Sequence, residues 1–74
     1  MNDSEFLEQV AKIFEVNPSD LTLTTELKSL TTWNSMTFMF LARMLEEQFD
    51  QDIDLRRMLM CDTPQDLLDM LRAQ

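Results

Sequence analysis

The feature that most constrains the fold is the stretch from Leu30 to Phe49, in which a short polar segment runs directly into a long amphipathic pattern. Apolar residues recur in it with the period of an α-helix that buries one face. The residues on this face are Phe38, Leu41, Ala42, Leu45 and Phe49. At about 100° per residue, the opposite stripe holds Met36, Phe40, Arg43 and Glu47. We therefore predict a long helix whose exposed face is unusually apolar.

The polar residues before this helix predict where it begins. Asn34 or Ser35 can cap it, because a short polar side chain there accepts a hydrogen bond from an unpaired backbone N–H. The backbone N–H groups and the helix dipole favour an anion at the same spot, so a phosphate ester on Ser35 would be well placed. A serine at a helix start is more often a simple cap, so this pattern alone leaves both interpretations open.

Length and charge narrow the classes of function. A chain of 74 residues makes one domain, residues 1–74, and buries only about 60% of its unfolded surface. A domain of this size therefore has little room for a deep active-site pocket. The chain has 14 acidic and 6 basic residues, giving a net charge of -8. Without a cluster of Lys and Arg to neutralise phosphates, we do not expect a nucleic acid partner.

The chain is expected to be cytoplasmic. No apolar run approaches the roughly 20 residues that a membrane span needs, and the acidic N-terminal segment does not resemble a signal peptide. The single cysteine, Cys61, excludes an internal disulfide and fits a reducing compartment. We interpret Cys61 as a small, semi-buried hydrophobic residue.

The composition also argues against catalysis by this chain. Histidine is absent, which removes the usual general base for a serine nucleophile and the commonest metal ligand. No metal-binding motif is present, and neighbouring acids such as Glu46 and Glu47 diverge by about 100° on a helix. We therefore predict no catalytic residue and no metal site. A reaction at Ser35 would need the catalytic groups of another protein.

The N-terminal part is predicted to form one helix and a long loop. The helix runs from Ser4 to Glu15, with Asp3 or Ser4 as its cap, and ends before Pro18. Its core face comprises Phe6, Leu7, Val10, Ile13 and Phe14. Residues 16–34 form a loop held against the core by regularly placed leucines. A strand at residues 20–25 is the competing interpretation, although it has no second strand with which to pair.

The C-terminal part is predicted to form a short helix and a longer one. The short helix runs from Leu55 to Met60, with Leu55, Met58 and Leu59 facing inward. The last helix has Thr63 as its cap and Pro64 at its first position, and reaches about Ala73. Its core residues are Leu67, Leu68 and Leu71. Because glycine is absent, asparagine and proline should end the helices. We predict an all-α fold, a small antiparallel four-helix bundle with three long helices and one short.

Five short motifs are distributed along nearly the whole chain. They are Val16-Asn17-Pro18, Trp33-Asn34-Ser35-Met36, Leu45-Glu46-Glu47-Gln48-Phe49, Ile53 and Thr63-Pro64-Gln65-Asp66-Leu67-Leu68. Their order and spacing resemble the acyl carrier protein family, which includes peptidyl and aminoacyl carrier domains. In that family a loop with an early proline follows the first helix, Asp-Ser-Leu opens the second helix, and Leu-Glu-Glu-x-Phe closes it.

The resemblance implies that Ser35 is the attachment point for 4'-phosphopantetheine, which a phosphopantetheinyl transferase installs from coenzyme A. The thiol of this arm would carry an acyl or aminoacyl group as a thioester to loading and transferring enzymes. Asn34 departs from the family, which usually has aspartate there. Asparagine caps a helix equally well, but a carboxylate beside the hydroxyl is lost. Trp33 before the motif resembles carriers of specialised lipid, polyketide or nonribosomal pathways.

By the same resemblance, the second helix is the docking face for partner enzymes. Glu46 and Glu47 match acidic positions of the family and would meet basic patches on the partners. Arg43 instead adds a positive charge, so we expect docking to depend more on apolar contact.

Met36 and Phe40 are the predicted anchors of this docking face, and Asn34 at its start is also a predicted docking residue. We expect the protein to act as a monomer. The alternative function is an unmodified, carrier-like adaptor that binds a partner through Met36, Phe40 and Arg43.

Overall fold

The computed structural model describes residues 1–73 and contains four α-helices in that part of the chain. They are α1 (Asp3–Phe14), α2 (Ser35–Phe49), α3 (Leu55–Leu59) and α4 (Pro64–Arg72). Residues 1–73 contain no strand, so the alternative strand at residues 20–25 is wrong. The predicted all-α bundle of three longer helices and one short helix is confirmed.

Helix α1 begins one residue earlier than the sequence predicts. The cap is Asn2, whose side-chain oxygen accepts a hydrogen bond from the Glu5 amide at 2.8 Å. The prediction of Asp3 or Ser4 as cap is therefore wrong. All three residue types can cap a helix. Capping by Asn2 places Asp3 and Glu5 in the first turn, where their negative charges interact favourably with the positive end of the helix dipole.

The ends of α1 and α2 use acidic residues in the left-handed conformation. Glu15 has φ 55° and Asp50 has φ 51°, so the prediction that asparagine and proline end these helices is wrong. The left-handed conformation costs an ordinary residue about 1 kcal/mol. After α1 this cost is offset by a backbone hydrogen bond, since the Val16 amide donates to the Ala11 carbonyl at 3.0 Å.

One hydrophobic core receives side chains from all four helices and from the first connection. Its buried members are Phe6, Val10, Ala11, Phe14, Leu21, Leu27, Phe38, Leu41, Ala42, Leu45, Met58, Cys61, Leu67, Leu68, Met70 and Leu71. The predicted core faces of α1, α2 and α4 are thus largely confirmed. Leu7, Ile13 and Phe49 are partly buried and pack against this core. Cys61 is buried among these residues, as expected of a small hydrophobic side chain.

The connection between α1 and α2 lies against the core, as predicted. It contains two 3₁₀ turns, Pro18–Asp20 and Leu27–Ser29. Backbone hydrogen bonds fasten it to the start of α4: the Leu27 amide donates to the Asp62 carbonyl at 2.8 Å, and the Gln65 amide donates to the Leu23 carbonyl at 3.0 Å.

Helix α3 buries fewer side chains in the core than the sequence predicts. Only Met58 is buried, whereas Leu55 and Leu59 are 40% and 51% exposed. The prediction that all three face inward is wrong for the two leucines. A helix of five residues makes fewer than two turns. It therefore contacts the core mainly through one buried side chain. No helix within residues 1–73 has the length and apolar character that crossing a membrane requires.

Candidate functional site

The start of α2 is held by reciprocal hydrogen bonds between Asn34 and Thr37. The Asn34 side-chain oxygen accepts from the Thr37 amide at 2.9 Å, and the Asn34 amide donates to the Thr37 hydroxyl at 3.0 Å. This capping box makes Asn34 the cap and Ser35 the first residue of the helix. Asparagine therefore does locally what an aspartate would do, and the fold does not need a carboxylate at position 34.

Two amides at this helix start remain free for a ligand. The Thr37 amide is bonded to the Asn34 side chain, and the Phe38 amide donates to the Asn34 carbonyl at 2.9 Å. No protein group among residues 1–73 accepts from the amides of Ser35 and Met36. The first turn of α2 also carries no acidic side chain. Free amides at the positive end of a helix are suited to a phosphate group, so the residues present fit a phosphodiester on Ser35.

The Ser35 hydroxyl is exposed and has no activating base. It makes no hydrogen bond to another side chain in the part of the chain that the structure describes. A serine hydroxyl needs a neighbouring base to become a good nucleophile, and the chain has no histidine. The start of α2 therefore presents an exposed hydroxyl that no side chain among residues 1–73 activates.

An aromatic cluster fixes the residue that precedes the cap. The Trp33 ring stacks on Phe14 of α1 with centroids 5.7 Å apart and planes inclined by 11°. The same ring packs against Phe38 of α2 in a T-shaped arrangement, with centroids 5.7 Å apart and planes at 69°. The motif includes Trp33 but does not predict this cluster, because nothing in a linear pattern brings the end of α1 to the start of α2.

The outward stripe of α2 is apolar near Ser35, as predicted. Met36 and Phe40 are 64% and 55% exposed, and Met39 is 51% exposed. Further along the helix, Arg43 Nε donates to Glu47 Oε1 at 3.0 Å, and both side chains face solvent. An exposed ion pair of this kind adds little stability, but it cancels two charges on this face.

A shallow groove of about 610 Å³ follows this stripe between α2 and the start of α3. Its lining residues are Met39, Phe40, Ala42, Arg43, Glu46, Glu47, Ile53 and Leu55. Four of the predicted docking residues, Phe40, Arg43, Glu46 and Glu47, are thus brought together. Met36 and Ser35 lie beyond the groove at the head of the helix, and Asn34 is engaged in the cap. Ile53 and Leu55 form the opposite wall, which the sequence does not predict: Leu55 is predicted to face inward, and Ile53 is only a position of the motif.

Cys61 is not a second attachment site in the way Ser35 could be. The thiol is buried and donates to the Arg57 carbonyl at 3.5 Å. Burial raises the pKa of the Cys61 thiol, and the nearby Asp66 carboxylate raises the pKa further. Because the thiolate is the reactive form, burial and the raised pKa both lower the reactivity of this side chain at neutral pH. Within residues 1–73 no group of three or more His, Cys, Asp or Glu side chains could hold a metal ion.

A comparison with protein families matches residues 4–71 to the family described as "Phosphopantetheine attachment site". The match covers nearly the whole chain, from the first turn of α1 to Leu71 in α4. No curated protein and no solved structure gives a significant match to this chain.

Proposed function

Since the chain belongs to the phosphopantetheine attachment site family, whose members carry covalent 4'-phosphopantetheine, we propose that it is a carrier protein with this arm attached to Ser35. The arm ends in a thiol and holds an acyl or aminoacyl group as a thioester. The observation that carries the proposal is the exposed Ser35 hydroxyl beside the free amides of Ser35 and Met36. Tethering the cargo in this way raises its effective concentration at each partner enzyme.

Attachment requires a transferase that acts on Ser35 and coenzyme A. The Ser35 oxygen forms a bond to the phosphorus that bears pantetheine, the pyrophosphate bond of coenzyme A breaks, and adenosine 3',5'-bisphosphate leaves. The hydroxyl proton passes to a base on the transferase, because Ser35 has no base of its own among residues 1–73. The amides of Ser35 and Met36 donate to the phosphodiester that results.

Partner enzymes dock on the outward stripe of α2, with Met36 and Phe40 as apolar anchors. Large, exposed apolar side chains are the usual sources of binding energy at an interface. The Arg43–Glu47 ion pair leaves Glu46 as the uncompensated acid beside the groove. Docking therefore depends less on a basic partner surface than the overall charge of -8 suggests.

We also propose a domain organisation, a compartment and a class of pathway for this carrier. The carrier is one domain, residues 1–74, and acts as a cytoplasmic monomer. It serves a dedicated lipid, polyketide or nonribosomal pathway, and the loading enzymes determine its cargo.

Intact mass spectrometry tests the attachment directly. Incubation with coenzyme A and a permissive phosphopantetheinyl transferase should add the mass of one phosphopantetheine, and Ser35→Ala should abolish the addition. Ser4→Ala is the matched control, because Ser4 is also exposed in the first turn of a helix; it should be modified like the wild type. Failure of the wild type to gain mass with several transferases would contradict the proposal.

A second candidate is an unmodified adaptor that binds a partner protein through Met36, Phe40 and Arg43. The missing carboxylate at Asn34 and the apolar exposed stripe favour it. An adaptor would keep its partner in Ser35→Ala and lose it in Phe40→Asp. Met60→Asp is the control, since Met60 is 80% exposed and does not line the groove beside α2. Loss of the partner with Ser35→Ala alone would exclude the adaptor.

A further inference from the structure

Trp33 occupies a special position relative to the start of α2. It immediately precedes the cap, Asn34, and its ring meets Phe38, the fourth residue of the helix. Apolar contact between these two positions is known as a hydrophobic staple, and it fixes the angle at which the chain joins the helix. The staple spans the capping box formed by Asn34 and Thr37. The residues on both sides of Ser35 therefore make contacts that restrict the backbone of the turn.

The staple is also anchored to a second helix. The Trp33 ring also stacks on Phe14, which is fully buried at the end of α1. The Trp33 amide donates to the Leu30 carbonyl at 3.0 Å, which closes a turn just before the ring. The backbone at Ser35 is thus tied to the core as well as to its own helix.

From this geometry we infer that Trp33 is a positioning residue for the modification of Ser35, holding the turn in the one conformation that a transferase can bind. The inference rests on the proposed function above. Trp33 does not contact the reacting atoms. It acts through the cap at Asn34 and the amides of Ser35 and Met36.

The expected effect is on binding more than on chemistry. When only a fraction of the molecules has the competent conformation, the apparent affinity falls by that fraction. Replacing Trp33 by alanine removes both ring contacts. We therefore expect Trp33→Ala to raise the KM of the transferase for this protein by about tenfold, with kcat nearly unchanged. Trp33→Phe keeps a flat apolar ring and should restore most of the wild-type KM.

The control must lower stability without disturbing Ser35. Leu71 is buried in α4, and its carbonyl accepts from Gln51 at 3.4 Å, which places it beside the far end of α2. A helix of 15 residues is about 20 Å long. Leu71→Ala should therefore lower the unfolding midpoint while leaving the KM at the wild-type value.

Two measurements decide the inference. The first is the steady-state rate of modification for the wild type, Trp33→Ala, Trp33→Phe and Leu71→Ala, compared at temperatures where each variant is folded. The second is amide hydrogen exchange in the unmodified proteins, in which the Thr37 and Phe38 amides should exchange faster in Trp33→Ala than in Leu71→Ala. If Trp33→Ala fails to fold, Trp33→Leu, which lacks a flat ring, takes its place.

The outcomes separate this inference from the proposed function. Equal KM values in Trp33→Ala and the wild type, with the wild type modified normally, overturn the inference and leave the carrier function intact. A KM that rises equally in Leu71→Ala also overturns it, because the effect then follows stability. A wild type that no transferase modifies overturns both.

Discussion

The starts of α2 and α4 are built on the same motif from different side chains. In α2 the reciprocal bonds join Asn34 and Thr37, and in α4 they join Thr63 and Asp66. The third helical residue is thus a neutral threonine in α2 and a carboxylate in α4. The Asp66 carboxylate accepts from the Thr63 amide at 3.3 Å and also from the Asp62 amide at 2.9 Å.

This difference separates a structural helix start from one that can receive a ligand. Helix α4 supplies its own anion, and its first residue is Pro64, which is buried and has no N–H to offer. Helix α2 has no acid in its first turn, and its first residue is the exposed Ser35. The capping box orders both helices, but only α2 leaves its positive end open to a phosphate.

The largest expected effect comes from removing the third helical residue at each start. Asp66→Ala loses a charged acceptor with two backbone bonds and should lower the free energy of unfolding by about 2 kcal/mol. Thr37→Ala loses a neutral hydroxyl, which accepts from the Asn34 amide and donates to the Thr32 carbonyl, and should lower it by about 1 kcal/mol. Urea unfolding of both variants measures the difference. Equal losses would show that charge does not distinguish the two starts.

A smaller effect is expected when the carboxylate of α4 is transferred to α2. Thr37→Asp should change the free energy of unfolding by no more than about 0.5 kcal/mol: an acid in the first turn interacts favourably with the helix dipole, but the hydroxyl that donates to the Thr32 carbonyl at 2.8 Å is lost. The same charge should repel the phosphates of coenzyme A and lower the kcat/KM of modification about fivefold. Thr24→Asp adds the same charge in an exposed part of the first connection and should leave modification unchanged. If both variants slow modification equally, the effect is one of net charge.

The smallest effect concerns Cys61, which lies beside the carboxylate of α4. Its pKa is raised in the folded protein, first by burial and then by Asp66. The folded state therefore favours the protonated thiol; this contribution to stability is complete below about pH 8.5, where a free cysteine titrates, and is lost as the pH rises toward the folded value.

A Cys61→Ala variant should flatten the decline in stability above that pH, and alkylation of the wild-type thiol should require more alkaline pH than a free cysteine. Thermal unfolding between pH 7 and 10 measures the first effect. The alkylation rate in Asp66→Ala, where the thiol should titrate at lower pH, measures the second. A decline of the same steepness with and without the cysteine would assign it to other groups.

The sequence alone predicts the three longer helices and their buried faces, because the core residues of α1, α2 and α4 repeat with helical period. It also predicts the exposed stripe of Met36 and Phe40, for the same reason. The candidate attachment residue follows from the motif around Ser35. These features depend on neighbours in the sequence, which a linear pattern contains.

Features that depend on distant neighbours were not predictable. Periodicity assigned Leu55 and Leu59 to the core, but their burial depends on how far α3 lies from the other helices. The Trp33 cluster needs the end of α1 to meet the start of α2. The left-handed residue Glu15 was missed because its conformation is favoured by a backbone bond and not by its side chain.

The long first connection is fastened at Leu23 and Leu27 by bonds between main-chain atoms. Such bonds do not depend on which side chain a residue carries. The exposed positions between these fastenings, such as Thr24 and Glu26, can therefore be recoded with little loss of structure. This makes the connection the natural place to install a fluorescent label or an epitope when the carrier is followed inside a cell.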